Sequence, residues 1–451
     1  MQRLKHLVAK LVKRPGCNLQ VTRLTTNSTR LINISLRGAT LCTRFLFIFF
    51  LAKYLDPAQV GYYGIFTATV SYAMYFVGLD FYTYVSREIV KTPASQRGQL
   101  LKGQIALSGI LYLSLLPIGL WLLLQSGWPT YLLWWFLPIL LLEHFNQEVS
   151  RLLIALSQQL TSSVILFVRQ GTWAIAIIAL MYLQADSRNL NAVMALWACA
   201  GAAAASIGIW KIKQLKTEGW GLPVDWQWIK KGIAISAAFL VATIALRGVQ
   251  TFDRYWLEAL GNIEMVGAYV LLFGIAGTLL TFLDAAVFAF AYPNLIKLNH
   301  ENNHQEAKRQ VRILLMQTMA LSAVFALISW VTLPYLLSWI GNPIYQQFAH
   351  WYPWLLLAMA INAISMVPHY ALYACGADKP IIYSHIAALI GFAVVTWLSS
   401  DAIGTTAILI GLNTSFLIIL FWKGFAYLWL TSKEKYQKEI QYMLKTSREN
   451  S

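Results

Sequence analysis

Residues 36–55 read LRGATLCTRFLFIFFLAKYL, a membrane-length apolar segment that carries two arginines, Arg37 at its start and Arg44 near its middle. A charged side chain at bilayer mid-depth costs at least about 2.5–3.5 kcal/mol on insertion scales. The two arginines are seven residues apart, two helical turns, so they project from nearly one face with Thr40 between them. The remaining run, FLFIFF, is bulky and lipid-compatible. This pattern describes a helix with one face on a polar interior and the others on lipid or neighbouring helices. Arg37 either snorkels to the headgroups or shares that polar face. Arg44 is too deep for an easy escape and is expected to line a water-filled cavity.

Further ionisable residues fall within or near the apolar segments: Glu143, His144, Glu148 and Arg151, then Arg169, Arg247, Asp253 and Arg254, Asp284, His369 and His385. Glu148 and Arg151 are three apart and are expected to pair on a helix surface. Asp253 and Arg254 are adjacent, point apart, and are expected in the outer interface. The histidines read either as satisfied core groups or as proton relays. Arg44, Arg169 and Arg247 then remain, spread over both halves of the chain, with few acidic counterparts. A net-cationic cavity attracts anions, and arginine binds phosphate bidentately while keeping its proton in a low dielectric.

The composition shows what must position these residues. Of 451 residues, 58% are hydrophobic and 12% charged, with a mean hydropathy of +0.56. Soluble domains carry about 25% charged residues, so this is expected to be an all-α polytopic membrane protein. Apolar runs predict about twelve spans, at 31–54, 60–79, 103–124, 130–150, 160–183, 190–210, 232–256, 265–290, 312–337, 353–374, 380–399 and 403–428. The net charge of +16 is distributed as the positive-inside rule demands rather than as a nucleic-acid patch. With both termini cytoplasmic, basic residues crowd the inner segments, for example Arg87, Lys91, Arg97 and Lys102, or Lys211, Lys213 and Lys216. Only Lys53, Arg188 and Arg254 then face outward near span ends. Trp and Tyr cluster at span ends, as interfacial anchors do.

The longest mid-chain polar interruption between spans, KIKQLKTEGWGLPVDWQWIKKG, divides the spans six and six. The expected parts are a basic N-tail at 1–30, a first bundle at 31–210, a linker at 211–231, a second bundle at 232–430 and a charged tail at 431–451. In the N-tail, Leu4, Leu7, Val8, Leu11 and Val12 have the spacing of a short amphipathic helix, or of a mobile basic tail. Val-Gly-x-Tyr occurs at 60–63 and again at 266–269, an offset of 206 residues, at the same place in each six-span set. Matched topology at the two sites is the mark of a parallel repeat. Four scattered cysteines make neither a disulfide framework nor a metal site. The chain has no His-Glu-x-x-His, no Gly-x-Ser-x-Gly and no phosphate-binding Gly-Lys-Ser/Thr loop, and the outer loops are short. No catalytic residue, resident cofactor or metal is expected.

The stretch LAKYLDPAQVGYYGIFTATVSYAMYFVGLDFYTYVSREI resembles the Wzx-type polysaccharide (O-antigen) flippases of the multidrug/oligosaccharidyl-lipid/polysaccharide (MOP) exporter superfamily. The matching positions are Leu55, Pro57, Gly61, Tyr63, Gly78, Leu79 and Arg87. The second half matches through DRYWLEALGNIEMVGAYVLLFGIAG and AYPNLIKL. The resemblance implies a MATE-like fold of two six-helix bundles in a bacterial inner membrane. It also implies transfer of undecaprenyl-diphosphate-linked oligosaccharides from the cytoplasmic to the outer leaflet by alternating access. The expected partners are that glycan lipid, membrane lipids and polysaccharide polymerase machinery, with the protein itself a monomer and no nucleic acid involved. On this reading Arg44, Arg169 and Arg247, with Arg37, contact the diphosphate or acidic sugars. Glu143, Asp284, His369 and His385 are the candidates for coupling to a proton or sodium gradient.

Two rival readings remain. A multidrug antiporter of the same superfamily would favour buried carboxylates over competing arginines. A membrane polymerase or ligase acting on lipid-linked glycans would need larger outer loops.

Overall fold

The structure is a computed structural model that describes residues 17–215 and 217–449, with side chains from 31 to 432 apart from 216 and 238. The amphipathic pattern over residues 4–12 lies outside these residues. The chain is helical along its length: α1 (Cys17–Tyr54), α2 (Pro57–Gly78), α3 (Tyr82–Lys91), α4 (Ala94–Gln125) and α5 (Thr130–Ala155) come first. Next come α6 (Gln159–Phe167) and α7 (Trp173–Leu183), joined by a π-helical turn at Val168–Thr172, then α8 (Leu190–Gln214) and α9 (Trp226–Leu260). A second π turn, Asp284–Phe288, joins α10 (Ile263–Leu283) to α11 (Ala289–His300). The chain ends with α12 (His304–Ile340), a short α13 (Pro343–Gln347), α14 (Tyr352–Ala374), α15 (Asp378–Ile403) and α16 (Thr406–Glu449).

The expected spans are helical throughout most of their lengths, those at 160–183 and 265–290 each interrupted by a π turn. Among the described residues nine helices are long and apolar enough to cross a membrane, ten if the bent pair Trp226–Ala237 and Phe239–Leu260 counts as one span. Helices α2 and α5 reach 22 and 26 residues but are interrupted by more polar side chains. Backbone chemistry sets several boundaries. Pro57 opens α2 behind an extended Asp56, where its missing N–H is not needed. Asn262 and Asn303 cap α10 and α12 by accepting from the amides of Met265 and Glu306. The first and last helices run further than their apolar spans, from Cys17 and to Glu449, so helix continues into the segments expected as tails.

By packing, the chain forms two compact units. One takes in the first helix as far as Phe47, then Phe81–Ser187 and Asn191–Gly232; the other comprises Ile48–Asp80, Arg188–Leu190 and the chain from Ile233 onward. In the first unit, Val149, Leu153, Ile165 and Ala204 make a core cluster across α5, α6 and α8. The expected linker is fastened to the start of α4: the Gly98 amide donates to the Glu218 carbonyl at 2.7 Å, the Glu218 amide to Ala94 at 3.1 Å, and Lys102 Nζ to Leu222 at 2.9 Å.

In the second unit the two Val-Gly-x-Tyr motifs meet. A Cβ on Gly61 of α2 would overlap the Ile263 carbonyl oxygen, and one on Gly267 of α10 would overlap that of Pro57. Gly61 and Gly267 are related by the 206-residue offset of the motif, and so are Pro57 and Ile263. The two helices therefore cross backbone to backbone through equivalent residues. Lipid chains are as apolar as leucine, so burying apolar side chains does not drive helices together in a membrane, and close approach at small residues takes its place.

Candidate functional site

Helix α1 lies along α6 and the π turn that follows it. Arg37 Nε donates to Ser163 Oγ at 3.0 Å, and Arg44 Nη1 to Gln170 Oε1 at 3.2 Å. Ser163 Oγ in turn donates to Asn33 Oδ1. The acceptors are seven residues apart, like the arginines, so the two helices match turn for turn. Both guanidinium groups belong to exposed residues and both partners are neutral, which leaves their positive charge uncompensated. Thr40, expected between them on the polar face, is instead buried, and its hydroxyl donates back to the Leu36 carbonyl at 2.8 Å.

Arg169 sits in the π turn beside Gln170 but points elsewhere. It is 7% exposed, with Nε 3.5 Å from Glu143 Oε2 and Nη1 donating to the Glu143 carbonyl at 3.3 Å. Trp197 Nε1 donates to the other Glu143 oxygen at 2.9 Å, and its ring stacks on Trp173 at 5.6 Å. The charges of Arg169 and Glu143 are thus spent on each other. Removing one partner of a buried pair strands the other, at about 3–5 kcal/mol, whereas replacing both is often neutral. Arg169→Met is therefore expected to lower stability by about 3–5 kcal/mol. Adding Glu143→Gln, which keeps the acceptor for Trp197, restores most of it. Thermal unfolding of the purified single and double variants checks this.

Arg247 on α9 is exposed and donates to Gln250 at 3.1 Å. Asp284 is exposed at the start of the second π turn. π turns inside helices occur frequently at functional sites, and each of the two here carries an ionisable residue. Glu148 pairs with Arg151 at 2.7 Å, as its spacing predicts, and also accepts from Gln104. His144 has Tyr112 as its partner at 3.1 Å. Asp253 is wholly buried within the protein, accepting from Tyr269 Oη at 2.6 Å and from the Arg254 amide at 2.8 Å. The Arg254 side chain, on α9, donates to the carbonyl of Gly64 on α2 at 3.1 Å, where α2 meets α10.

His369 and His385 come together around a residue that the sequence reading passed over. Lys423 of α16 is 1% exposed, with Nζ 3.2 Å from His369 Nδ1 on α14 and 3.0 Å from His385 Nε2 on α15. The two imidazoles are parallel, 7° apart, with centroids separated by 6.3 Å. The signal was present in the sequence as a single lysine within LIILFWKGFAYLWL. Among the described residues no three His, Cys, Asp or Glu side chains assemble as a metal site.

No protein-family model and no curated protein matches this sequence. Solved structures do match the fold. An inward-facing multidrug resistance MATE family transporter of the MOP superfamily aligns at a TM-score of 0.72 and 10% identity, over 88% of this chain and 95% of the other. A mutant of the Vibrio cholerae MATE transporter VcmN aligns at 0.59 and 16% identity, over 91% and 98%. An outward-facing MATE family transporter aligns at 0.53 and 10%, over 90% and 95%. The chain has the fold of the MATE transporters.

Proposed function

We propose that this protein is a flippase that carries polyprenyl-diphosphate-linked oligosaccharides from the cytoplasmic to the outer leaflet of a bacterial inner membrane, by alternating access and with both termini cytoplasmic. The observation that carries the reading is the arginine ladder on α1. Arg37 and Arg44 are exposed, two turns apart, and among the described residues hydrogen-bonded only to neutral side chains. A pair of permanent cations without carboxylates suits an anionic headgroup and repels a cationic drug. Arg247, exposed on α9, is proposed to join them in holding diphosphate or acidic sugar. The fold neighbours support the transport cycle, since structures titled inward-facing and outward-facing share this fold.

A second reading, multidrug export, is favoured by those same neighbours, both of which are described as multidrug resistance transporters. One experiment separates the two. In cells lacking this gene but with later polymerisation intact, surface polysaccharide and lipid-linked repeat units on each leaflet are quantified. Repeat units trapped on the cytoplasmic leaflet, with surface glycan lost, are the expected result. Normal surface glycan with new sensitivity to cationic drugs would give the second reading the place of the first. Repeat units that reach the outer leaflet but stay unpolymerised would point to a polymerase.

A further inference from the structure

Two buried cations stand in this protein in opposite circumstances. Arg169 faces a carboxylate at 3.5 Å and can never release its proton. Lys423 is more deeply buried, and among the described residues its hydrogen-bond partners are two imidazole nitrogens. Among the described residues no carboxylate meets Lys423 or either histidine. Helix α14 brings His369, with Tyr370 edge-on to its ring at 5.5 Å; α15 brings His385; α9 presents only the Ala242 backbone to His385. A permanent, uncompensated ammonium at this depth would cost several kcal/mol, and a neutral side chain would tie the three helices together without that cost. Lysine differs from arginine in being able to give its proton up, and imidazole is the side chain best suited to receive it.

We propose that Lys423, His369 and His385 form a proton-exchange site joining α14, α15 and α16. In the loaded form Lys423 is an ammonium donating to His369 Nδ1 and His385 Nε2, which fixes the imidazole protons on Nε2 and Nδ1 respectively. For release, one Lys423 N–H bond breaks and its proton passes to His369 Nδ1. The Nε2 proton of that ring then leaves to water, so the ammonium becomes a neutral amine and one hydronium forms. His369 is the exit because it is partly exposed, whereas His385 is buried. The amine then accepts from His369 Nδ1–H and still donates to His385 Nε2, but both bonds lose the ammonium's charge, so the grip on the two histidines weakens when the proton leaves. Proton occupancy is thereby linked to how firmly the three helices are held.

The site requires no substrate, so it stands or falls independently of the glycan reading. The test is nitrogen-15 NMR of the full-length protein in lipid nanodiscs, with only histidine labelled and the two signals assigned through His369→Gln and His385→Gln. Between about pH 5 and about pH 9 the His369 and His385 signals are expected to move together in one common step, as coupled groups do. Lys423→Met removes the shared proton, and Lys423→Arg keeps the charge but cannot release it. In both, loss of the common step is expected. Signals that stay flat across that range in the wild-type protein would overturn the proposal, because this comparison needs no variant to fold. A common step that survives in Lys423→Arg would overturn it too.

Discussion

Arg44→Ala is expected to reduce transport of a diphosphate-bearing lipid to the detection limit of a complementation assay, while membrane insertion and unfolding temperature stay near wild type. The separation of the two effects follows from the surroundings of the side chain. Arg44 is exposed and its hydrogen-bond partner, Gln170, is a neutral amide at 3.2 Å. A hydrogen bond of that kind contributes about 0.5–1.5 kcal/mol, and water can replace it at an exposed site. A fork of two charge-assisted bonds to a phosphate is worth about 3 kcal/mol or more, roughly a hundredfold in binding. Arg44→Lys keeps the charge but not the planar fork, and is expected to retain partial transport. Gln170→Ala is the control: it frees the guanidinium without removing it, and should leave transport within a few-fold of wild type. Wild-type surface glycan in Arg44→Ala would remove the arginine from the substrate path. The contrast with Arg169 is the point of the comparison, because that residue should fail through stability rather than through transport.

The helices were legible because the constraint on them is local. A segment that must span lipid without water has to satisfy its own backbone, and apolar length alone announces it. Punctuation was legible for the same reason, as with Pro57 at the start of α2. Partners were not. Glu148–Arg151 could be named because both residues lie on one helix turn, whereas Arg169 and Glu143 are separated by 26 positions and only the packing of α5 against the π turn joins them. The partner of Asp253 was not legible either, because its donor, Tyr269, comes from the next helix. That tyrosine is the last residue of the second Val-Gly-x-Tyr motif, so half of the answer lay in the repeat. Lys423 lay inside the last expected span but was overlooked, because its partners His369 and His385 stand 54 and 38 positions away on other helices.

Gly61→Leu and Gly267→Leu are expected to prevent recovery of folded protein, and the alanine variants to lower stability by about 1–3 kcal/mol or more, the usual range for overpacking. At each position the first atom in the way is a backbone carbonyl oxygen, Ile263 for Gly61 and Pro57 for Gly267, and a carbonyl cannot rotate aside as a side chain can. Helices α2 and α10 must move apart, which also strains the Arg254 bond to the Gly64 carbonyl at the same crossing. Gly277, on the same helix α10, has nothing within 4 Å of its missing Cβ, so Gly277→Ala should be neutral or stabilising by up to about 1 kcal/mol. The repeat adds a sharper expectation. Since Gly61 and Gly267 occupy equivalent places and face one another, their alanine variants should cost similar amounts. The double variant should cost clearly less than the sum, because the first methyl already opens the gap that the second needs. Thermal unfolding of wild type, the three alanine variants at these sites and Gly277→Ala in one detergent decides it. Additive losses, or a Gly267→Ala variant as stable as Gly277→Ala, would mean that the motif recurs for a reason other than this crossing.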